Sequence, residues 1–252
     1  MGYVVMSIIC KNCLVEFNGH YCNNCGQSAE VHRLDSHFLW HDLQHGLFHF
    51  DSGIVYSVKQ LLIRPGNAIR EFIEGKRKKH FAPLSLVIVL ATIYGVLYHY
   101  FQINTIIGPA ENDSEIDYQK INEWLATHFA WNTLAAIPLY TLGTFIAFKK
   151  QGYNFIEYLV LNAFKASQRL FVHIALFPLL YYFNGTPGMS TIIYVLYGID
   201  MVFILWTNIQ FFNRLTRIKA FLLSLLSHAI FLISFVFAIT IILLLFRVLK
   251  NQ

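Results

Sequence analysis

Pro83-Leu84-Ser85-Leu86-Val87-Ile88-Val89-Leu90-Ala91-Thr92-Ile93-Tyr94-Gly95-Val96-Leu97-Tyr98-His99-Tyr100 runs without one carboxylate, ammonium or guanidinium. A stretch this long and apolar is close to the ~20 residues that cross a hydrocarbon core of ~30 Å. Pro83 suits a first helical turn, and the apolar reading extends to about residue 103. Four more segments read the same way: 129–148, 168–183 within a longer helix, 190–211 and 220–246. Pro138 interrupts the second, which is tolerable in a membrane because neighbouring helices satisfy the freed carbonyl. With 56% hydrophobic and 13% charged residues and a mean hydropathy of +0.49, the balance is not that of a soluble domain. The expected fold is an all-α polytopic membrane protein of about five transmembrane helices. Tyr98, Tyr100, Trp124, Trp131, Tyr181, Tyr182 and Trp206 fall near span ends, where aromatic belts are expected.

Outward from the first span, basic residues set orientation. Nine of the nineteen Lys and Arg precede residue 82. The 104–128 loop has only Lys120, beside Glu111, Asp113, Glu115, Asp117 and Glu123. Lys149 and Lys150 occupy the next loop, the 184–189 turn has none, and Arg214, Arg217 and Lys219 occupy the last. Counted by Lys and Arg, the alternation puts the N-terminus in the cytoplasm and the C-terminus, despite Arg247 and Lys250, in the periplasm. Met1 to Ile9 is too short, and lacks the basic start, for an export signal.

All four cysteines lie in the first 25 residues, as Cys10-Lys11-Asn12-Cys13 and Cys22-Asn23-Asn24-Cys25. Thiols facing a reducing cytosol are metal or redox groups more often than disulfides. Two Cys-x-x-Cys knuckles eight residues apart can enclose one tetrahedral ion at ~2.3 Å from each sulfur, which predicts a structural zinc, with iron as the other metal these ligands hold. A hairpin turning at Asn18-Gly19, with Phe17 and Tyr21 as a minimal core, is expected between them. The closed four-sulfur set leaves no open position for catalysis.

Residues 31–81 are too polar to span and read as basic, histidine-rich amphipathic helices at the interface. His37, His41, His45 and His49 recur every fourth position, opposite Leu39, Trp40, Leu43, Leu47 and Phe50. His41, His45 and His49, with Asp42 or Asp51, form a candidate second metal site; the alternative is a neutral imidazole stripe at headgroup level. Lys76, Arg77, Lys78 and Lys79 then meet the first span, and such a cluster attracts anionic lipid headgroups. The chain divides into a zinc-ribbon (1–30), interfacial helices (31–81) and a transmembrane bundle (82–252). A formal charge of +5 without a folded basic surface argues against a nucleic-acid partner.

Tyr21-Cys22-Asn23-Asn24-Cys25-Gly26-Gln27, Phe48-His49-Phe50-Asp51-Ser52-Gly53, Arg64-Pro65-Gly66 with Ile69-Arg70-Glu71-Phe72-Ile73-Glu74-Gly75-Lys76-Arg77, and Phe81-Ala82-Pro83 together resemble the bacterial family catalogued as domain of unknown function 3667. The resemblance covers the first third in motifs and the whole chain in layout. It implies a cytoplasmic zinc-ribbon before a multi-span region in a bacterial inner membrane, and no activity. Ser57 stands where that family usually has Thr.

Inside the spans, ionisable residues are costly and mark candidate sites. Glu157, Lys165, Arg169 and His173 fall at multiples of four on one helix, with Asn162 and Gln168 beside them. Asp200 sits midway along the fourth span and needs a partner among Lys165, Arg169 and His173. His228, with Ser224 and Ser227, faces the same interior from the fifth. This is a candidate intramembrane polar site; the plainer reading is an ion pair that fixes helix register, with Lys165 and Arg169 snorkelling. No Ser-His-Asp order, phosphate-cradling loop or carboxylate pair emerges, so no catalytic residue is assigned. The leading expectation is a non-enzymatic scaffold that recruits a cytoplasmic protein partner through the zinc-ribbon. The alternatives are a small-solute transporter around Asp200 and Arg169, and a metal-dependent lipid enzyme built on the His37–His49 helix.

Overall fold

The computed structural model of the chain describes residues 7–38, 53–104 and 118–250. Two short strands, β1 (Ile8–Ile9) and β2 (Glu16–Phe17), precede nine helices among the described residues. These are α1 (Gly53–Ile63), α2 (Pro65–Glu74), α3 (Pro83–Tyr100), α4 (Tyr118–Thr127), α5 (Phe129–Phe148), α6 (Phe155–Ala175), α7 (Phe177–Phe183), α8 (Met189–Phe211) and α9 (Arg217–Lys250). Four of them are long and apolar enough to cross a membrane: α3, α5 with the 3-10 turn that follows it to Gln151, α8, and α9 as far as Ile241. Their outward side chains are apolar and uncovered, among them Val96, Leu142, Val202, Leu222 and Val236. Apolar surface on this scale demands lipid rather than water, and the protein is a polytopic helical membrane protein.

The expected third span is instead a broken helix. Asn154 and Glu157 start α6 with a reciprocal capping box, each side chain accepting from the other's backbone N–H at 2.8 Å. The helix stops at Leu176 because Pro178 has no N–H to continue the ladder, and α7 restarts with Leu179 and Leu180 both donating to the Leu176 carbonyl. Three charged residues lie along α6, so it lacks the apolar run of the other spans. The ends of the α6–α7 pair are nevertheless tied to opposite ends of the bundle. At one, Asn154 Nδ2 donates to Leu34 O at 2.9 Å; at the other, Asn184 accepts from the Asn104 N–H and donates to Gln102 O just beyond α3. The α6–α7 pair therefore runs the height of the bundle beside α3 and α5, and the described residues traverse the bundle five times.

Most buried side chains of the bundle sit on α6 and on the face of α3 packed against it, including Leu86, Leu90 and Tyr94 against Leu161, Phe164 and Leu170. The α9 helix packs antiparallel on α5, where Ser227 donates to Thr144 and Phe231 stacks on Tyr140. At the end opposite the cysteines, Tyr100, Trp124, Trp131, Tyr181 and Tyr182 are exposed as an aromatic girdle. Tyr98 is not part of it: it is buried and donates to Asn122 Oδ1.

At the cysteine end, α1 and α2 pack on the bundle. Leu61, Ala68, Ile69, Phe72 and Ile73 are buried, and Gln168 of α6 donates to Leu61 O at 2.6 Å. Arg64 at their junction forms a two-bond pair with Glu71, which holds that carboxyl below its ordinary range. Gly66 allows α2 to press on α8, because a Cβ there would meet Thr207 O and Phe211 N. Arg70 then donates to the Gln210 and Phe211 carbonyls that end α8. Histidines 41, 45 and 49, with Asp42 and Asp51, lie outside the described residues.

The Gly66 contact carries a direct expectation. Gly66→Ala puts a methyl into helix backbone, so the helices must part, and a loss of ~2–4 kcal/mol follows. Thermal melting of the purified protein in detergent should show a clearly lowered midpoint; an unchanged midpoint contradicts the close approach.

Candidate metal centre and buried polar cavity

Each Cys-x-x-Cys forms the turn of a miniature hairpin. The first is closed by Cys10 N–H to Val15 O and Leu14 N–H to Cys10 O, and β1 pairs antiparallel with β2 across it. The second repeats this with Cys22 N–H to Gln27 O and Gly26 N–H to Cys22 O, and Tyr21 bridges Ser28. The knuckles themselves therefore turn the chain, in place of the expected hairpin through Asn18-Gly19. Phe17 is buried as expected, but Tyr21 is 69% exposed and outside the core.

The four sulfurs lie within 4.8 Å of one another, with Cys10–Cys25 and Cys13–Cys22 at 3.5 Å. A tetrahedral ion at ~2.3 Å from each sulfur separates them by ~3.8 Å, so the set fits a thiophilic metal ion. Hydrogen bonding by Asn24 and the Val15 backbone pulls the Cys13 thiol down to about 6, favouring the thiolate that binds metal. Burial pushes Cys10 up to about 11, so a metal must displace that proton.

Following the second cysteine, Leu14 and Gly26 occupy equivalent left-handed positions, with φ of 63° and 70°. Glycine is unstrained there and leucine is not. Because Leu14 is 71% exposed, Leu14→Gly should relieve ~1 kcal/mol and slow metal loss to a chelator, whereas Gly26→Ala should hasten it. A chelator release assay that ranks the two variants the other way contradicts this geometry.

The module is clamped to the bundle. Gln27 donates to Gly75 O at 2.9 Å and accepts from the Arg77 N–H. Arg33 binds both oxygens of Glu157, at 2.8 and 2.7 Å, and also Gly152 O. Of the basic cluster, Arg77 is turned inward: it donates to Phe72 O and His32 O and lies over the rings of Phe38 and Phe72. Lys76, Lys78 and Lys79 line a cleft of about 540 Å³ with Cys13, Cys25 and His80. Four thiolates around a divalent ion would leave a net −2, which the ammonium groups lining the same cleft offset.

His80 packs edge-on against Tyr56, Phe72 and Phe164, and burial lowers its pKa to about 4. Below its ordinary 6.5 the unfolded chain binds a proton that the folded protein refuses. Stability should therefore fall as pH drops from 6.5 towards 4, by on the order of 3 kcal/mol. His80→Phe should remove that acid dependence in melting curves; identical pH profiles for both proteins count against it.

Within the bundle, the structure brings most of the sequence-predicted polar residues together. His173 Nε2 lies 3.0 Å from Asp200 Oδ1, joining α6 to α8 with both side chains largely buried. Lys165, Arg169 and Asp200 line a narrow cavity of about 30 Å³ between α5, α6 and α8. Arg169, His173 and Asp200 line a second cavity of about 380 Å³, walled also by Tyr94, Tyr98, Asn132 and Tyr197. The two share Arg169 and Asp200. Lys165 does not snorkel: it is 8% exposed and donates to Asn162 Oδ1 at 3.0 Å. Asn162 is itself held by Tyr158 O and Thr144 Oγ1. His228 lines neither cavity but meets the Tyr197 hydroxyl at 2.7 Å. Ser224 and Ser227 are buried beside it on α9.

Sequence reasoning missed Tyr94, Tyr140, Tyr197 and Asn132 as cavity residues. An amide within the 129–148 span was a usable signal for Asn132. For the tyrosines there was none, since the same residue type also marks interfaces.

A helical bundle with these spans and a four-cysteine metal-binding cluster defines the class of the protein. Residues 51–95 match the family model described as Protein of unknown function (DUF3667), a match that supports membership of the family indicated by the Arg64-Pro65-Gly66 and Phe81-Ala82-Pro83 motifs. It covers α1, α2 and the first two-thirds of α3. No curated protein and no solved structure matches the chain.

Proposed function

We propose that the protein is a membrane-embedded binding protein for a small polar solute, of permease type, set in a bacterial inner membrane with the cysteine module cytoplasmic. The observation that carries this reading is the pair of cavities in series that meet at Arg169 and Asp200. A narrow chamber on the cysteine side and a wide one on the opposite side, divided by charged groups near mid-height, is the layout expected where a solute rests inside a bundle. The basic loops favour this orientation. The metal is zinc in a structural role: four cysteines fill its coordination sphere and its module braces α2 and α6. Lys76, Lys78 and Lys79 add contact with anionic lipid headgroups.

One observation favours a second reading, a scaffold that recruits a cytoplasmic protein. Ile9, Leu14, Val15 and Tyr21 form an exposed apolar rim on the cysteine module, and such rims suit protein contacts.

Cysteine labelling separates the two. The native thiols are metal ligands, so single cysteines at Asn132 or Tyr197 can be probed in intact membranes with a membrane-impermeant thiol reagent. The solute-binding reading expects both to react from the side opposite the cysteine module, while Val202→Cys, facing lipid, stays unlabelled. A cavity closed to the reagent at both positions would remove the solute-binding reading and leave the scaffold.

A further inference from the structure

Charge is out of balance around the two cavities. Lys165 and Arg169 both face the narrow one, where Asp200 is the only carboxylate among the lining residues, and Asp200 is engaged by His173. Among the described residues no carboxylate lies within ion-pair distance of Lys165 or Arg169. Among those residues Lys165 has a single hydrogen-bond partner, the Asn162 amide oxygen, which leaves two of its three N–H donors unassigned. Arg169 neighbours the Tyr140 phenol, which is no counter-ion. The one carboxylate on α6, Glu157, is bound by Arg33 at the mouth of the bundle. A cation without a counter-charge is costly away from water, and an anion supplied from outside would relieve the cost.

We propose that the Lys165–Arg169 pair binds the head of an organic anion, a carboxylate or phosphate whose compact apolar body lies in the wide cavity. This rests on the solute-binding reading above and names the chemistry of its ligand. Both cations donate N–H groups, and carboxylate or phosphate oxygens accept them as short charge-assisted bonds. The narrow chamber, about 30 Å³, holds little beyond a headgroup oxygen. The wide chamber, about 380 Å³, offers the rings of Tyr94, Tyr98, Phe129 and Tyr197 to a ring or short chain. Asp200 borders both chambers and repels the anion, so it sets an upper limit on affinity. His173 beside it offsets part of that repulsion.

The test uses the full-length protein with its metal, in phosphatidylcholine nanodiscs, with benzoate and phenyl phosphate as probes and melting temperature as readout. At least one probe should raise the midpoint by several degrees, saturating with concentration. Lys165→Met removes a buried cation, so the empty protein should fold and melt no lower than the parent, and the half-effect concentration should rise at least tenfold. Arg169→Gln should weaken the response likewise. Asp200→Asn should strengthen it. A response to phosphatidylglycerol or oleate alone, lost in Lys165→Met, assigns the same anion chemistry to the bilayer rather than to a solute.

Absence of any response, to probes or to anionic lipid, overturns the proposal, as does a response untouched by Lys165→Met and Arg169→Gln. Failure of the ligand class is distinguishable from failure of the solute-binding reading. Labelling at Asn132→Cys without an anion response leaves an open cavity with a different ligand. An anion response without labelling keeps the anion site and removes the water-open path.

Discussion

The α6 helix has a polar face that lipid cannot satisfy, and most of the architecture answers that constraint. A bilayer core offers no hydrogen-bond partner, so each polar group in it must find one inside the protein. Along α6 the partners come from different directions. Glu157 is met by Arg33 and Asn162 by Thr144 of α5. Gln168 is met by Leu61 of α1 and Thr207 of α8, and His173 by Asp200 of α8. A helix with these demands takes the centre of the bundle, and this is why α6 is the most buried of the traversing helices while α8 is nearly bare on its outer side. Of the charged groups along α6, Lys165 and Arg169 are the two for which the protein supplies no counter-charge among its described residues.

The region that matches the family model reads differently once its contacts are known. Arg64, Gly66, Arg70 and Glu71 touch neither cavity. Instead they lock α1 and α2 to the final turns of α8: Arg64 pairs with Glu71, Gly66 admits the α8 backbone, and Arg70 binds its last carbonyls. Ser57 accepts from the Phe81 N–H at 2.8 Å, a bond that Thr at this position can equally make, so the departure from the usual family residue is chemically small. These motifs therefore describe how the base of the bundle is assembled, and their recognition leaves the chemistry of the cavity open.

What could be read in advance followed the range of the interaction involved. The spans were legible because hydropathy is a property of a segment, and the metal cluster because its ligand spacing is local. The need of Asp200 for a basic partner was legible from cost alone, although sequence could not choose among Lys165, Arg169 and His173; that choice depends on the rotation of α6 against α8. Other features were hidden because they are set by distant packing. Tyr98 resembles a belt residue until Asn122 and the cavity are seen around it. Arg77 counts as one more lipid-facing charge until the rings of Phe38 and Phe72 lie beneath it. Pro178 interrupts the third traversal, yet one proline does not say whether a membrane helix will bend or stop.

The cysteine module and the buried cavity are linked through a short chain of contacts. Metal coordination would fix residues 10–25, and Gln27, two residues further, holds the end of α2 through the Gly75 carbonyl. Arg33 and Leu34 then hold Glu157 and Asn154, the two residues that cap α6. A cap fixes where a helix begins, and an α-helix is stiff over the two to three turns from Glu157 to Lys165 and Arg169. The position of the cavity's cations is thus referred, through one helix, to a module outside the bundle. The same chain explains why so small a metal site is joined to its neighbours by a buried glutamine and a two-bond arginine pair: an ion enclosed by four sulfurs reaches the rest of the protein only through the backbone and side chains that follow it.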